Sequence, residues 1–268
     1  MNALNKKLVI IGDIAYETST INNKHYKSIG GSGYYSAIGA LAANNRDFIL
    51  VSTVGFDFNL EELNKLHINT KYITTNEKER TACFFTVYNK NSTRSFFSKD
   101  NVLNYNNYGI INKLVNANII FFSGSKPERQ LAWIRELRKV KYNGLIASDV
   151  FELYCKTQPE KTMEVIMNSD IVFMNNEERS ILNCDFNKQQ TVIIKNGSDG
   201  ATLLKNNSCI SVRPEEQVKA IDTNGAGDIL AGVFLSNILL KNTVIYSLQN
   251  AINIATKSVT KRGVLHIL

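Results

Sequence analysis

The sequence predicts a single α/β domain spanning residues 1–268, a doubly wound, mostly parallel central sheet carrying a small β-lid. Three observations lead there. Short, nearly unbroken apolar runs alternate with helical patterns from end to end, and strands apolar on both faces belong to parallel sheets covered by helices. Two segments, about 17–29 and 81–98, break the alternation and read as sheet with one solvated face. With 268 residues, 44% hydrophobic and 21% charged, the chain has the composition and length for one sizeable core.

In chain order, Leu8–Ile11 is the first core strand. Glu17–Ile29 reads as two short polar strands about the turn Asn22-Asn23, the first half of the lid. Gly30-Gly31 opens a helix over Tyr34–Ala43, and Phe48–Val54 is the next core strand. Thr81–Ser98 supplies the second half of the lid, with strands Ala82–Tyr88 and Arg94–Ser98 about Asn89-Lys90-Asn91-Ser92. Strands Ile119–Phe122, Leu145–Ala147 and Ile171–Met174 then alternate with helices Arg129–Val140, Lys161–Met167 and Glu177–Leu182. The strand core Val192–Ile194 belongs to a hairpin in which Thr191–Lys195 and Ala201–Leu204 flank Asn196-Gly197-Ser198-Asp199-Gly200. Cys209–Val212 follows Asn206-Asn207, and two helices, Ala226–Leu240 and Val244–Thr260, close the chain.

The formal charge of +7 and pI near 9.1 invite a nucleic-acid partner. The basic residues are scattered, however, and their densest run, Arg135–Lys141, lies on an amphipathic helix pattern as a solvated face. No nucleic acid is expected. Cys83, Cys155, Cys184 and Cys209 form no CxxC pair, and His25, His67 and His266 have no zinc spacing. Free thiols fit a reducing, cytoplasmic setting. The N-terminal apolar run of four residues is too short for a signal peptide or a membrane span.

Chemistry concentrates in Asp222-Thr223-Asn224-Gly225-Ala226-Gly227-Asp228, which runs directly into a helical stretch. Small residues at 225–227 let the backbone approach a ligand, and the N–H groups of a helix start align with its dipole. That is an anion hole for charge developing on a transferring phosphoryl group, and Asp228, in the first turn, stands where a base would deprotonate an attacking hydroxyl. The same residues also serve a tight turn with an acidic cap, and local physics does not choose between the two. A dinucleotide fingerprint is excluded by Leu230, and no GxxxxGK[ST], HRD or DFG signature occurs.

The segment DTNGAGD resembles the DTxGAGD signature of the ribokinase-like (PfkB-type) carbohydrate kinases. The resemblance implies that Asp228 is the catalytic base and that Gly225, Ala226 and Gly227 form the anion hole. Other motifs follow in the family's order. Gly30-Gly31 resembles the N-terminal diglycine that closes on substrate, and Val54-Gly55-Phe56-Asp57 resembles its VGxD turn. Asn175-Asn176-Glu177-Glu178 resembles NxxE, implying Asn175 and Glu178 near magnesium, with Glu178 acting through water. Lys195-Asn196-Gly197-Ser198-Asp199-Gly200 resembles the KxGxxG segment, implying Lys195, Gly197 and Gly200 beside ATP together with Thr223. The tail Ala251–Gly263 resembles the helix bordering the adenine pocket, which brings in Asn253. Taken singly these are a flexible junction, a helix cap and a good turn; their collinear order gives them weight.

The departures fall at the acceptor end. The family's sugar-gripping Asp is replaced by Glu17, with Asp13 nearby; its usual Asn is Tyr35, preceded by Tyr34; and Asp149-Val150-Phe151-Glu152 stands where DPNxR is usual. The expected substrate site is therefore Asp13, Glu17, Gly30, Gly31 and Tyr35. The resemblance implies an ATP- and magnesium-dependent kinase acting on a hydroxyl of a sugar or sugar-like molecule. A nucleoside is the alternative acceptor, since Tyr34 and Tyr35 offer rings to a base, and a non-catalytic ligand-binding protein is a third reading. A monovalent cation and a homodimer formed through the β-lid are compatible with the resemblance.

Overall fold

The computed structural model describes residues 7–21, 24–88, 94–183 and 185–268. Its strands are β1 (Leu8–Ile11), β2 (Ala15–Ile21), β3 (Lys24–Gly30), β4 (Phe48–Gly55), β5 (Ile73–Asn76), β6 (Ala82–Tyr88), β7 (Arg94–Lys99), β8 (Ile119–Phe122), β9 (Leu145–Asp149), β10 (Ile171–Asn175), β11 (Thr191–Lys195), β12 (Ala201–Lys205) and β13 (Ser208–Val212). The helices are α1 (Ser32–Ala42), α2 (Glu61–Asn64), α3 (Ile111–Leu114), α4 (Pro127–Lys139), α5 (Glu152–Thr157), α6 (Pro159–Met167), α7 (Asn176–Leu182), α8 (Ala226–Leu239) and α9 (Val244–Ser258).

Among the described residues the main sheet has nine strands in the order β13-β12-β11-β10-β9-β8-β1-β4-β5. It is parallel from β5 to β11, and β12 and β13 append antiparallel. Alternation along the strands splits the core into two layers. Leu8, Ile10, Phe121, Phe173 and Ile193 pack with Ile38 of α1 and Phe234 of α8 on one face. Val9, Ile11, Ile120 and Phe122 pack with Trp133 and Ile134 of α4 on the other. Edge-to-face rings at 5.7 Å (Phe121–Phe173) and 5.8 Å (Phe173–Phe234) tie sheet to helix. This is the doubly wound sheet read from the apolar runs.

The lid is a four-stranded sheet ordered β3-β2-β6-β7. Both predicted lid hairpins are present, each with a strand one to two residues longer than expected, while their turns at Asn22-Asn23 and Asn89–Ser92 lie outside the described residues. Strand β5 was not anticipated, because ITTN carries a single apolar residue and forms only by pairing with the edge of β4. Helix α5 was also missed, being a short run wedged between β9 and α6. Cys83, Cys155 and Cys209 are free thiols, and Cys184 lies outside the described residues. No helix among the described residues is long and apolar enough to cross a membrane.

Candidate active site

Parallel strands deliver their C-terminal ends to one edge of the sheet. There β1 runs on to Gly12 and Asp13, and β9, β10 and β11 end at Asp149, Asn175 and Lys195. Asn175 pairs with Lys195, and Asp149 with Phe173, so Asp149 and Lys195 sit on strands that flank β10. Glu17, Phe84, Thr86 and Ser98 of the small sheet line the same groove as Asp149, Asn175 and Lys195 at this edge. Between them runs one continuous groove of about 880 Å³, lined by Asp13 and Glu17, by Asp228 from the start of α8, and by Gly197, Ile252 and Val259.

The floor is the start of α8. Gly225, its N-cap, has φ +73°, the left-handed region open to glycine. A side chain at 225 is doubly excluded, because a Cβ would come within 2.2 Å of the Tyr35 ring. Gly227 is packed under Lys195, with the ammonium 3.2 Å from where a Cβ would lie. The N–H groups of this first turn have no intrahelical acceptors; that of Ala226 leans on the Thr223 carbonyl at 3.4 Å. Asp228 is part-buried in the groove and accepts no hydrogen bond from a protein donor among the described residues. Burial pushes its carboxyl well above the usual range, and Asp149, Glu17 and Glu178 add to that while Lys195 opposes it.

Beside it stands a buried ion pair. Lys195 Nζ donates to both carboxylate oxygens of Asp149 at 2.7 Å. Burial alone would discharge the lysine, but Asp149, Glu178 and Asp228 together hold its proton more firmly than usual. Asn175 and Glu178 form a complete capping box on α7: Glu178 N donates to Asn175 Oδ1 at 2.8 Å, and Asn175 N donates to Glu178 Oε2 at 2.7 Å. Glu178 is buried, and that burial, with Asp149 nearby, raises its carboxyl to about 7 against the pull of Lys195.

These groups suit a magnesium–phosphate complex in a particular way. Three carboxylates, Asp149, Glu178 and Asp228, repel one another across a site with one lysine, a deficit that a cation relieves. Among the described residues no three acidic, histidine or cysteine side chains converge closely enough to cage a metal. The donor set therefore fits an ion that keeps its waters and leans on phosphate oxygens, as magnesium does.

Around Asp13 and Glu17 the residues expected at the substrate meet, with partners that the sequence did not reveal. Asp13 is bound by Arg129 Nη1 at 2.6 Å, and Arg129 and Trp133 both donate to Asn106 Oδ1, at 3.3 and 3.2 Å. Glu17, 9% exposed, takes the Gly31 N–H on Oε1 at 3.1 Å and the Tyr35 hydroxyl on Oε2 at 2.7 Å. Gly31 (φ +94°) lines the groove, whereas Gly30 does not and instead supplies room for Glu17, whose Cδ would lie 2.2 Å from a Cβ there. Tyr35 lines the groove but is 5% exposed and packs its ring on Gly225; Tyr34 lies in the core. Neither presents an open face for stacking.

Beyond β11, Lys195, Gly197, Gly200 and Thr223 line the groove with Ile252, Ala255, Thr256 and Val259. Asn253 does not; its Oδ1 accepts from Glu215 N at 3.2 Å and Gln249 Nε2 at 3.1 Å, bracing the segment before the signature loop. Arg129 and the partnership of Asp149 with Lys195 were not foreseen. The available signal for Asp149 was an acidic residue at the C-terminal end of a buried parallel strand.

The family model described as pfkB family carbohydrate kinase matches residues 6–267. An uncharacterized sugar kinase of Pyrococcus horikoshii is 28% identical, over 98% of this chain and 93% of its own length. Its structure in complex with ATP superposes with a TM-score of 0.79 at 26% identity, covering 96% of this chain and 93% of that one. The nucleoside kinase of Methanocaldococcus jannaschii (TM-score 0.79, 21% identity, 98% and 94% covered) and the ribokinase of Giardia lamblia (TM-score 0.82, 18% identity, 98% and 95% covered) share the fold.

Proposed function

The chain belongs to the pfkB family of carbohydrate kinases, and from that premise we propose that it transfers the γ-phosphoryl group of ATP to a hydroxyl of an uncharged sugar, with Asp228 as general base. The observation that carries this reading is the position of Asp228, in the first turn of α8, where it lines one groove together with Asp13 and Glu17 and with Lys195 and Gly197.

The geometry supports the following division of labour. The acceptor hydroxyl gives its proton to Asp228, whose affinity for a proton burial raises above that of an ordinary carboxylate. The first-turn N–H groups of Gly225, Ala226 and Gly227 face the charge that develops on the phosphoryl oxygens. Lys195, held charged by Asp149, adds a fixed cation above Gly227. Asn175 and Glu178 would hold hydrated magnesium brought with ATP, which would supply charge neutralisation at the phosphates. The lid sheet covers the acceptor and excludes water, which strengthens each of these interactions.

The lining of the acceptor end supports an acceptor without a phosphate of its own. It presents the carboxylates of Asp13, Glu17 and Asp100 with the hydroxyls of Ser32, Thr86 and Ser98. Lys126 and Arg129 stand behind it, paired with Asp100 and Asp13 at 2.7 and 2.6 Å. Hydroxyl-rich ligands match such a surface; a second phosphate would meet like charge. A nucleoside remains the second reading, since the acceptor end also offers Phe84, Phe151 and Tyr154. An ATP-consumption screen of free sugars, their phosphate esters and nucleosides tests both. Turnover of the esters alone would overturn the uncharged-acceptor reading, and turnover of none would overturn the kinase reading.

A further inference from the structure

Ser19 of β2 and Tyr26 of β3 face each other as cross-strand partners in the lid, and each reaches out of the lid to a different part of the body. Ser19 Oγ accepts from Asn224 Nδ2 at 3.0 Å, and Asn224 is the residue before Gly225. Tyr26 carries the guanidinium of Arg262 3.7 Å from its ring centroid, a cation–π contact to the chain's tail. The two body segments are in turn bound to each other. Asp222 accepts from Asn224 N on Oδ1 at 3.1 Å and from Gly263 N on Oδ2 at 3.4 Å, and Ile221 N donates to Val259 O at 2.7 Å. The contacts therefore close a ring: lid, signature loop, tail, and lid again.

We propose that Ser19, Tyr26 and Arg262 are positioning residues that lock the β2–β3 hairpin to the loop preceding α8, so that the position of the acceptor lid sets the orientation of the Gly225–Gly227 anion site. A second link runs parallel to the ring. Glu17, on the same lid strand as Ser19, binds the hydroxyl of Tyr35, whose ring rests on Gly225. The hairpin is thus attached to the anion loop on both sides of Gly225, through its preceding residue and through the ring packed on its Cα. A lid seated by the acceptor aligns the first turn of α8, and an unseated lid releases it. Transfer to water in the absence of acceptor is suppressed by the same coupling.

The inference rests on the kinase reading for its catalytic consequence but not for its mechanical one, and two measurements separate them. The mechanical test is amide hydrogen exchange on Tyr26→Ala and Arg262→Ala, with Tyr26→Phe and Arg262→Lys as variants that keep a ring and a cation. Among the described residues no hydrogen bond, ion pair or ring contact joins Tyr26 or Arg262 to residues 225–228. The ring predicts that both alanine variants speed exchange in residues 24–30 and also at 225–228, while the conservative pair stays near wild type. Unchanged exchange at 225–228 overturns the proposal whether or not the protein proves to be a kinase. The catalytic test compares Ser19→Ala, Tyr26→Ala and Arg262→Ala with wild type on the best acceptor from the screen. Mispositioning of reacting groups by about an ångström costs up to about 100-fold in rate, so kcat should fall between about 5- and 100-fold with the KM for ATP held within about twofold. The ratio of ATP hydrolysed to acceptor phosphorylated should rise in parallel. A fall in thermal stability with kcat and that ratio unchanged assigns these residues a merely structural role and overturns the proposal.

Discussion

The ammonium of Lys195 lies 2.7 Å from both oxygens of the Asp149 carboxylate, with the two side chains 17% and 3% exposed. They come from β11 and β9, on either side of β10, and the pair stands over Gly227 in the first turn of α8. Removing one partner leaves a buried charge uncompensated, at about 3–5 kcal/mol. Lys195→Met should lower unfolding stability by that order in urea titrations at pH 8. Adding Asp149→Leu to it should recover much of the loss without recovering activity. If the double variant is no more stable than the single, the pair is not a coupled unit.

Asp228→Asn should lower kcat by about 10²–10⁴, the usual worth of a general base, with ATP affinity nearly unchanged. Because the base works deprotonated and burial raises its pKa, kcat should fall on the acid side. The midpoint of that fall should lie above the ordinary carboxylate range. Steady-state kinetics across pH 5 to 9 check both; near wild-type kcat in the variant would sink the assignment.

Glu178 gives a stability signature of opposite slope to most carboxylates. Its pKa rises from 4.5 to about 7 on folding, so between those values the native state holds more of the proton than the unfolded state does. Its contribution is fully present below about 4.5 and is lost as pH rises through about 7. Glu178→Gln keeps an acceptor for the Asn175 N–H and should flatten the decline in stability over that window. The same variant should raise the magnesium concentration needed for half-maximal activity, by less than the loss seen for Asp228→Asn. An unchanged magnesium titration would leave Glu178 with its capping role alone.

Tyr35 can be divided into its ring and its hydroxyl. Tyr35→Phe keeps the ring on Gly225 and loses the hydrogen bond to Glu17, a bond to a charged group worth about 1.5–3 kcal/mol of stability. Tyr35→Ala also removes the support beneath Gly225 and should lower kcat much further. Because the ring is 5% exposed, sugars and nucleosides should lose rate equally. A loss confined to nucleosides would show instead that the ring stacks on a base.

Glu17→Ala should cut kcat/KM for the acceptor steeply. It strands the Gly31 N–H and the Tyr35 hydroxyl and deletes a carboxylate that lines the groove. Acceptor kinetics like those of wild type would show that Glu17 contributes nothing to acceptor binding.

What the sequence determined by itself was whatever is written in short range. The alternating apolar runs specified a parallel sheet, because strands buried on both faces cannot be polar on either. The lid strands declared themselves by their period of two. The helix start at Gly225–Asp228 was legible because small residues and a first-turn acid are local signals, met within four residues. Strand β5 was not, since ITTN becomes a strand only on the edge of β4. Tertiary structure alone decided the pairings: Arg129 with Asp13 across 116 residues, Lys195 with Asp149 across 46, and Asn224 with Ser19 across 205. It also decided that Asn253 braces Glu215 and lies off the groove, and that Tyr35 faces Gly225. The physical reason is common to all of these. A side chain's partner is set by which strand ends and which helix start the topology brings to one edge of the sheet, and the spacing of residues along the chain carries no record of that meeting.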